Sequence, residues 1–375
     1  MKVGFDAKRA IQNNTGLGNY SRYIIEILSK YFEGNTYVLY APKKKENARL
    51  KELQTRKNVC FIFSKAGWKY FSSLWRTWGI NKTLIKDKID IFHGLSNELP
   101  LRINRSGIKT VVSIHDLIFL RYPNYYKPID RFIYRLKFRY ACKIADRIIA
   151  ISECTKKDII SYFNIPEAKI NIVYQGFHPN FSHTVSPEKK MDVIRKYALP
   201  PQFLLYVGSI EERKNLLLVV RALKQIDKEI HLVAVGKKTP YQDIIEQYIT
   251  TNELCERVHI YNNIPFEDLP SFYQSSRLFV YPSRYEGFGI PIIEALASGI
   301  PVIAAKGSCL EEAGGENSVY IHPDDNNGLA EKITTILCDD SLREYMIEKG
   351  QQYIDRFSDS VIADHILRVY KSVLV

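Results

Sequence analysis

Short apolar runs alternate with amphipathic stretches along the chain. In the first half Lys2–Asp6, Thr36–Tyr40, Val59–Phe63, Ile89–His93, Thr110–Ile114 and Arg147–Ser152 are strand-like. Between them, apolar positions recur every three or four residues, as in Asn19–Lys30 and Ile129–Ala145, which predicts helices. The pattern restarts with Phe203–Val207, His231–Val235, Val258–Tyr261, Leu278–Val280 and Pro301–Ala304. Strands alternating with helices predict parallel sheets flanked by helices, an α/β architecture. The stretch from Gln175 to Pro201 is rich in Pro, His and Ser and reads as a break. A chain of 375 residues exceeds the size at which one core keeps growing. The expected organisation is two Rossmann-like domains facing a central cleft: residues 1–180, a linker at 181–200, and residues 201–357. Residues 358–375 are expected to form a helix returning to the N-terminal domain. In such sheets ligands sit outside the carboxyl ends of the strands, so the loops there are where chemistry is sought.

Charge sharpens this picture. Residues 1–180 hold 32 Lys and Arg against 14 Asp and Glu, while residues 181–375 hold 21 against 27. A basic half joined to a mildly acidic half predicts that the first half meets something anionic. Nucleic acid is not expected, because no recognition module is present; an anionic membrane surface and ordinary solvated lysines are the remaining readings. No apolar run approaches the ~18 residues that span a bilayer. Met1–Asp6 enters a strand pattern directly, so no secretory signal is expected. The six cysteines are scattered, which fits reduced thiols and a cytoplasmic protein.

The strongest chemical signal runs from Arg284 to Pro301. Gly287 and Gly289 make a loop that a ligand can approach closely, and Pro291 suits the first position of a helix. The amides of Phe288, Gly289 and Ile290 then point from a helix N-terminus, a favourable place for a phosphate or a sugar hydroxyl. Glu286 falls in the loop and Glu294 in the first helical turn, two carboxylates able to accept bonds from vicinal hydroxyls. A second junction follows Phe203–Val207: Gly208, Ser209, then Arg213 and Lys214 before a helix. Adjacent cations at a strand's carboxyl end suit a diphosphate. In the first half Gly16 and Gly18 form a glycine-rich turn into a helix, but Ser21 occupies the third glycine position of the dinucleotide fingerprint. His115 closes the Thr110–Ile114 strand, where it can hydrogen-bond a sugar or stabilise charge; His93 is a similar residue with less support. No D-x-D triplet occurs, so no metal and no cofactor are expected, with Arg213, Lys214 and the helix N-terminus neutralising a leaving diphosphate instead.

Taken in order, the Gly16 turn, His115-Asp116-Leu117, the Gly208–Asn215 segment and the Glu286–Glu294 pair resemble glycosyltransferase family 4. They are most similar to its retaining, mannosyltransferase-type members that build surface polysaccharides. The resemblance covers nearly the whole chain and implies a GT-B fold and a nucleotide-sugar donor, GDP-mannose favoured. It also implies a saccharide or polyprenyl-diphosphate-linked saccharide acceptor. By the same resemblance Arg213 and Lys214 hold the diphosphate, and Glu294 the ribose. Glu286 meets the transferred sugar, His115 sits by its hydroxyl, and Gly16 approaches the phosphates. The segment Cys309-Leu310-Glu311-Glu312 departs from related sequences, which often carry a Pro before the Glu. A sugar-nucleotide epimerase on the same fold, or a non-catalytic nucleotide-sugar-binding protein, are the alternatives.

Two segments predict docking on an anionic membrane. In Lys65–Lys82 the residues Trp68, Phe71, Trp75 and Trp78 fall on one helical face, with Lys65, Lys69, Arg76 and Lys82 around them. In the other, Lys127, Arg131, Arg135, Arg139, Lys143 and Arg147 recur every four residues among apolar positions. Because that spacing drifts ~40° per step, three or four of these cations share a face.

Overall fold

The computed structural model describes residues 1–64 and 74–374. It divides into two compact units, Met1–Gln175 with the helix Asp359–Leu374, and Gly176–Ser358.

The first unit is built on a seven-stranded sheet of order β3-β2-β1-β4-β5-β6-β7. Its strands are β1 (Lys2–Asp6), β2 (Thr36–Ala41), β3 (Val59–Phe63), β4 (Ile91–Gly94), β5 (Lys109–Ile114), β6 (Arg147–Ala150) and β7 (Ile170–Ile172). Every paired neighbour is parallel, with Gly4 opposite both Val38 and Phe92. The central strands are buried on both faces, which is why they read as near-continuous apolar runs. Phe92, Val112, Ile114, Ile148 and Ala150 share one core with Phe138, Ala141 and Cys142 of the helix Pro128–Ile144. The helix Gly16–Tyr31 packs beside Asp359–Leu374.

The second unit holds a six-stranded parallel sheet of order β10-β9-β8-β11-β12-β13. Its strands are β8 (Phe203–Val207), β9 (His231–Val235), β10 (Val258–Tyr261), β11 (Leu278–Tyr281), β12 (Val302–Ala305) and β13 (Val319–Ile321). In both sheets the strand order reverses once, at β1/β4 and at β8/β11. Such a reversal leaves a crevice at the carboxyl ends of the two strands, where ligands of this fold class bind.

Several expectations change. The stretch 181–200, read as a linker, contains the helix Pro187–Tyr197. Ser186 caps it by accepting the Lys189 amide, and Pro187 occupies the opening turn, so Pro and Ser here start a helix instead of breaking one. The Trp face proves mixed. Trp75 is buried in the core and Arg76 is sequestered, its Nε 2.7 Å from Asp6 and its second arm on Glu98. Trp78 is exposed. Lys65, Trp68, Lys69 and Phe71 lie outside the described residues. Among the described residues no helix is long and apolar enough to cross a membrane.

Candidate functional site

The reversal between β8 and β11 brings two loops of the second unit side by side. The loop after β8 turns through Glu212–Lys214 into the helix Leu216–Ala222, with Asn215 in the left-handed region at φ 60°. The Asn215 amide donates to the carbonyls of Pro282 (3.2 Å) and Pro323 (2.7 Å), tying this loop to the one after β11. The Arg284 amide completes the tie by donating to the Arg213 carbonyl at 2.9 Å. Gly208 ends β8 with its amide on the Val235 carbonyl, 2.9 Å away. A Cβ at Gly236 would lie 1.8 Å from the Gly208 carbonyl oxygen, so the loop after β9 must be glycine there.

Four groups converge on one oxygen. Glu286 Oε1 accepts from Ser283 Oγ at 2.8 Å and Tyr281 Oη at 3.0 Å, and pairs with Arg213 Nη1 at 3.0 Å and Lys214 Nζ at 3.1 Å. Lys214 also donates to Tyr281 Oη at 2.8 Å, and Arg213 donates to the Tyr285 carbonyl. Burial pushes the Glu286 carboxyl upward, but Lys214, Arg213 and the Ser283 hydroxyl outweigh it and hold its pKa at about 2. Against the same burial, Glu286 keeps Arg213 firmly cationic. The result is two cations and one anion, nearly removed from water, at the carboxyl end of a parallel sheet. The Ser209 hydroxyl donates to Glu211 at 2.7 Å, and Glu211 lies 3.6 Å from Arg213 Nη2.

Glu294 is a different carboxyl. It lies on the helix Ile290–Ala297, half-buried, and accepts from Tyr273 Oη at 2.9 Å. Burial raises its pKa to about 8, with Tyr273 opposing, so near pH 7 it is mostly protonated. The helix begins at Ile290, which places Pro291 second and Glu294 fifth, one residue beyond the first turn expected from the sequence. Gly289, the residue before the helix, takes φ 136°, a conformation only glycine adopts readily, and a Cβ there would crowd Ala313 and Leu310 at 3.1 Å. Phe288 packs its ring into the core against Phe357. Cys309 lies beneath this loop, its thiol within reach of the carbonyls of Phe288 (2.8 Å) and Glu286 (3.0 Å), which share its one proton.

In the first unit the helix opens at Gly16 itself, with Thr15 before it, so both glycines lie in its first turn and not in a preceding loop. Gly18 is required by packing, since a Cβ there would sit 1.9 Å from the Asn13 carbonyl oxygen; Gly16 faces open space. His115 is buried, with Nε2 2.9 Å from the Leu95 carbonyl, its amide on Asn97 Oδ1, and the Tyr20 ring edge-on at 4.5 Å. A carbonyl only accepts, so the proton sits on Nε2 and Nδ1 carries the lone pair. Burial holds its pKa at about 4, partly offset by Leu95, so His115 is neutral near pH 7. In this form Nδ1 can accept a hydroxyl's hydrogen bond. His93 is structural: Nδ1 bonds Tyr370 Oη (2.7 Å) and Nε2 bonds Ser113 Oγ (2.9 Å), which also bonds Tyr20 Oη (2.9 Å).

Sequence reasoning missed Tyr281 and Tyr273. For Tyr281 the signal was present, since an aromatic with a polar tip at a strand's carboxyl end needs a buried hydrogen-bond partner; Tyr273 lies within the helix Leu269–Ser275 and gave no such signal.

Comparison with known proteins agrees with the two-sheet fold. Residues 15–181 match the family model described as Glycosyltransferase Family 4, and residues 189–353 match Glycosyl transferases group 1. The O-antigen chain mannosyltransferase B of Escherichia coli is 27% identical over 99% of this chain and 100% of its own length. The O-antigen chain mannosyltransferase RfbU of Salmonella typhimurium is 28% identical, over 64% of this chain and 62% of its own. Among solved structures, a glycosyltransferase from Rickettsia africae superposes with a TM-score of 0.78 at 20% identity, covering 100% of this chain and 98% of that one. Anabaena HepE in complex with UDP and glucose gives 0.75 at 20% identity, covering 99% and 100%. The fold is therefore that of the GT-B glycosyltransferases, with a glycosyltransferase domain in each half of the chain.

Proposed function

We propose that these two glycosyltransferase domains move a hexose from a nucleotide sugar to a saccharide or polyprenyl-diphosphate-linked saccharide in surface-polysaccharide synthesis. The transfer retains anomeric configuration and needs no metal. The observation that carries this reading is the convergence of Arg213 and Lys214 on one Glu286 oxygen at the strand reversal of the second sheet. Two adjacent cations on a preformed, largely dry platform suit the diphosphate of a nucleotide sugar. The names of the relatives favour mannose, and with it GDP-mannose as donor. The complex of HepE with UDP and glucose supports a nucleotide sugar as the class.

In the reaction the bond between the anomeric carbon and the phosphate oxygen breaks, and its electron pair stays on the diphosphate. Arg213 and Lys214 stabilise that growing charge, each contact worth on the order of 3 kcal/mol by analogy with a single oxyanion donor. The acceptor hydroxyl attacks from the face the diphosphate leaves and gives its proton to a phosphate oxygen. Glu286, released from the cations, accepts from hydroxyls of the transferred sugar. Glu294 accepts from the ribose, the helix N-terminus at Phe288, Gly289 and Ile290 holds phosphate or sugar oxygens, and Gly208 and Gly16 permit close approach. His115, neutral, receives a sugar hydroxyl through Nδ1. The enzyme works at the cytoplasmic face of a membrane that carries the acceptor.

The test is a panel of sugar nucleotides with and without acceptor, read by nucleoside diphosphate release and by the anomeric configuration of the product. Release that requires acceptor, with a retained anomer, is expected. An inverted anomer overturns the mechanism, and a nucleotide sugar interconverted without acceptor puts an epimerase in its place.

A further inference from the structure

The helix Pro128–Ile144 is held to the first unit by one side only. Phe138, Ala141 and Cys142 are buried, and the Phe119 ring meets Phe138 edge-on at 5.3 Å. On the opposite side Ile129 is 67% exposed, Phe132 64%, Leu136 55% and Ile133 40%. With consecutive residues turned by ~100°, these four fall within an arc of about 100°. No folding contact explains four large apolar side chains side by side in water; a contiguous patch of this kind marks a contact surface.

The charges around the arc identify what it contacts. The helix carries one acid, Asp130, against Arg131, Arg135, Lys137, Arg139 and Lys143. Arg135 and Arg139 are exposed along one flank of the arc, and Lys143 extends it toward the C-terminus. Lys137 lies on the other flank, 3.2 Å from Glu98. Arg131, counted among the docking cations from its spacing, turns toward the body and is half-buried. An apolar ridge bordered by cations, with its acid off the ridge, matches the layer where acyl chains meet anionic headgroups. We propose that this ridge inserts into the interfacial layer of an anionic phospholipid membrane, Ile129, Phe132, Ile133 and Leu136 entering the acyl boundary and Arg135, Arg139 and Lys143 meeting lipid phosphates. The helix lies in the membrane plane, and the docking is independent of glycosyl transfer.

Co-sedimentation of the full chain with phosphatidylglycerol-containing vesicles and with pure phosphatidylcholine vesicles tests this. Binding to the first and not the second is expected, weakening as salt is raised. Arg135→Gln with Arg139→Gln should lower the partition coefficient about 25-fold, about fivefold for each cation removed. Phe132→Ser with Leu136→Ser should lower it by about tenfold or more. Because all four side chains are exposed, circular dichroism and thermal midpoints should match the wild type. Leu136→Trp should shift its emission to the blue on phosphatidylglycerol vesicles alone. Absence of binding to anionic vesicles, or binding unchanged in both double variants, overturns the proposal. So does a dimer in solution that Phe132→Ser with Leu136→Ser converts to a monomer. Transfer to a soluble acceptor by the same variants should match the wild type. Failure of transfer with docking intact would count against the proposed reaction and leave the membrane surface standing.

Discussion

The carboxyl proposed to receive the ribose starts in the wrong protonation state, and that makes its role measurable. Burial holds the Glu294 pKa at about 8, so at pH 7 only about one molecule in ten carries the charge. If ribose hydroxyls donate to an ionised Glu294, nucleotide binding at pH 7 must expel a proton. Removing it costs about 1.4 kcal/mol at one pH unit below the pKa, or about tenfold in affinity. Affinity for a bare nucleoside diphosphate should therefore rise about tenfold between pH 7 and 9, levelling above pH 8. A hydrogen bond to a charged group is worth about 1.5–3 kcal/mol, so Glu294→Gln should bind tens of times more weakly at pH 9, and the gap should close near pH 6. The comparison with Glu294→Gln removes the phosphate's own titration, which lies near 6. Titration calorimetry in two buffers of different ionisation heat counts the proton: close to one more released at pH 7 by the wild type than by the variant. Equal proton counts, with a constant affinity ratio across pH, would refute the assignment. The same shift acts on folding. A carboxyl whose folded pKa is raised contributes most below its unfolded value near 4.3, and that contribution is lost as pH rises toward 8. Glu294→Gln should then raise the melting temperature at pH 9 and barely change it at pH 4.

Three further tests follow from the geometry. Lys214→Ala should lower turnover about 100-fold or more with the fold intact, and EDTA should leave wild-type turnover unchanged; activity lost in EDTA and restored by Mg²⁺ would contradict the metal-free mechanism. Glu286→Gln removes the carboxylate that Arg213 and Lys214 share, so a bare nucleoside diphosphate should bind as well or up to about tenfold tighter while transfer falls about 100-fold; equal losses in both would undo the division between the two glutamates. Gly18→Ala should destabilise by about 2 kcal/mol or more, because the new Cβ strikes the Asn13 carbonyl, whereas Gly16→Ala should melt like the wild type but turn over more slowly; normal turnover would remove Gly16 from the phosphate path.

Most of the sheet framework was legible in apolar runs, because parallel strands buried on both faces leave little room for polar positions. Two strands escaped, Ile170–Ile172 and Val319–Ile321. Each is three residues long at a sheet edge, too short to establish a period. Within the site, the residue types at Arg213, Lys214 and Glu286 could be read, but their meeting on one oxygen could not, because the strand order that brings β8 beside β11 is not a local property. The contrast between the glutamates was also hidden. Glu286 is held ionised by two cations from a loop some seventy residues earlier, while Glu294 has only a tyrosine. The Trp face misled because spacing alone does not tell a face turned to the core from one turned to solvent, and Trp75 is turned to the core.

The helix Asp359–Leu374 belongs to the first unit, although the chain reaches it only after completing Gly176–Ser358. Tyr370 supplies the hydrogen-bond partner of buried His93, and the helix covers Gly16–Tyr31. During synthesis the first unit therefore emerges early but waits, with that flank bare, while the second unit folds ahead of it. A chain truncated after Ser358 would hold a complete second unit and an unfinished first one. Chaperone demand should concentrate in that interval, and loss of Asp359–Leu374 should damage the first unit although it leaves the second intact.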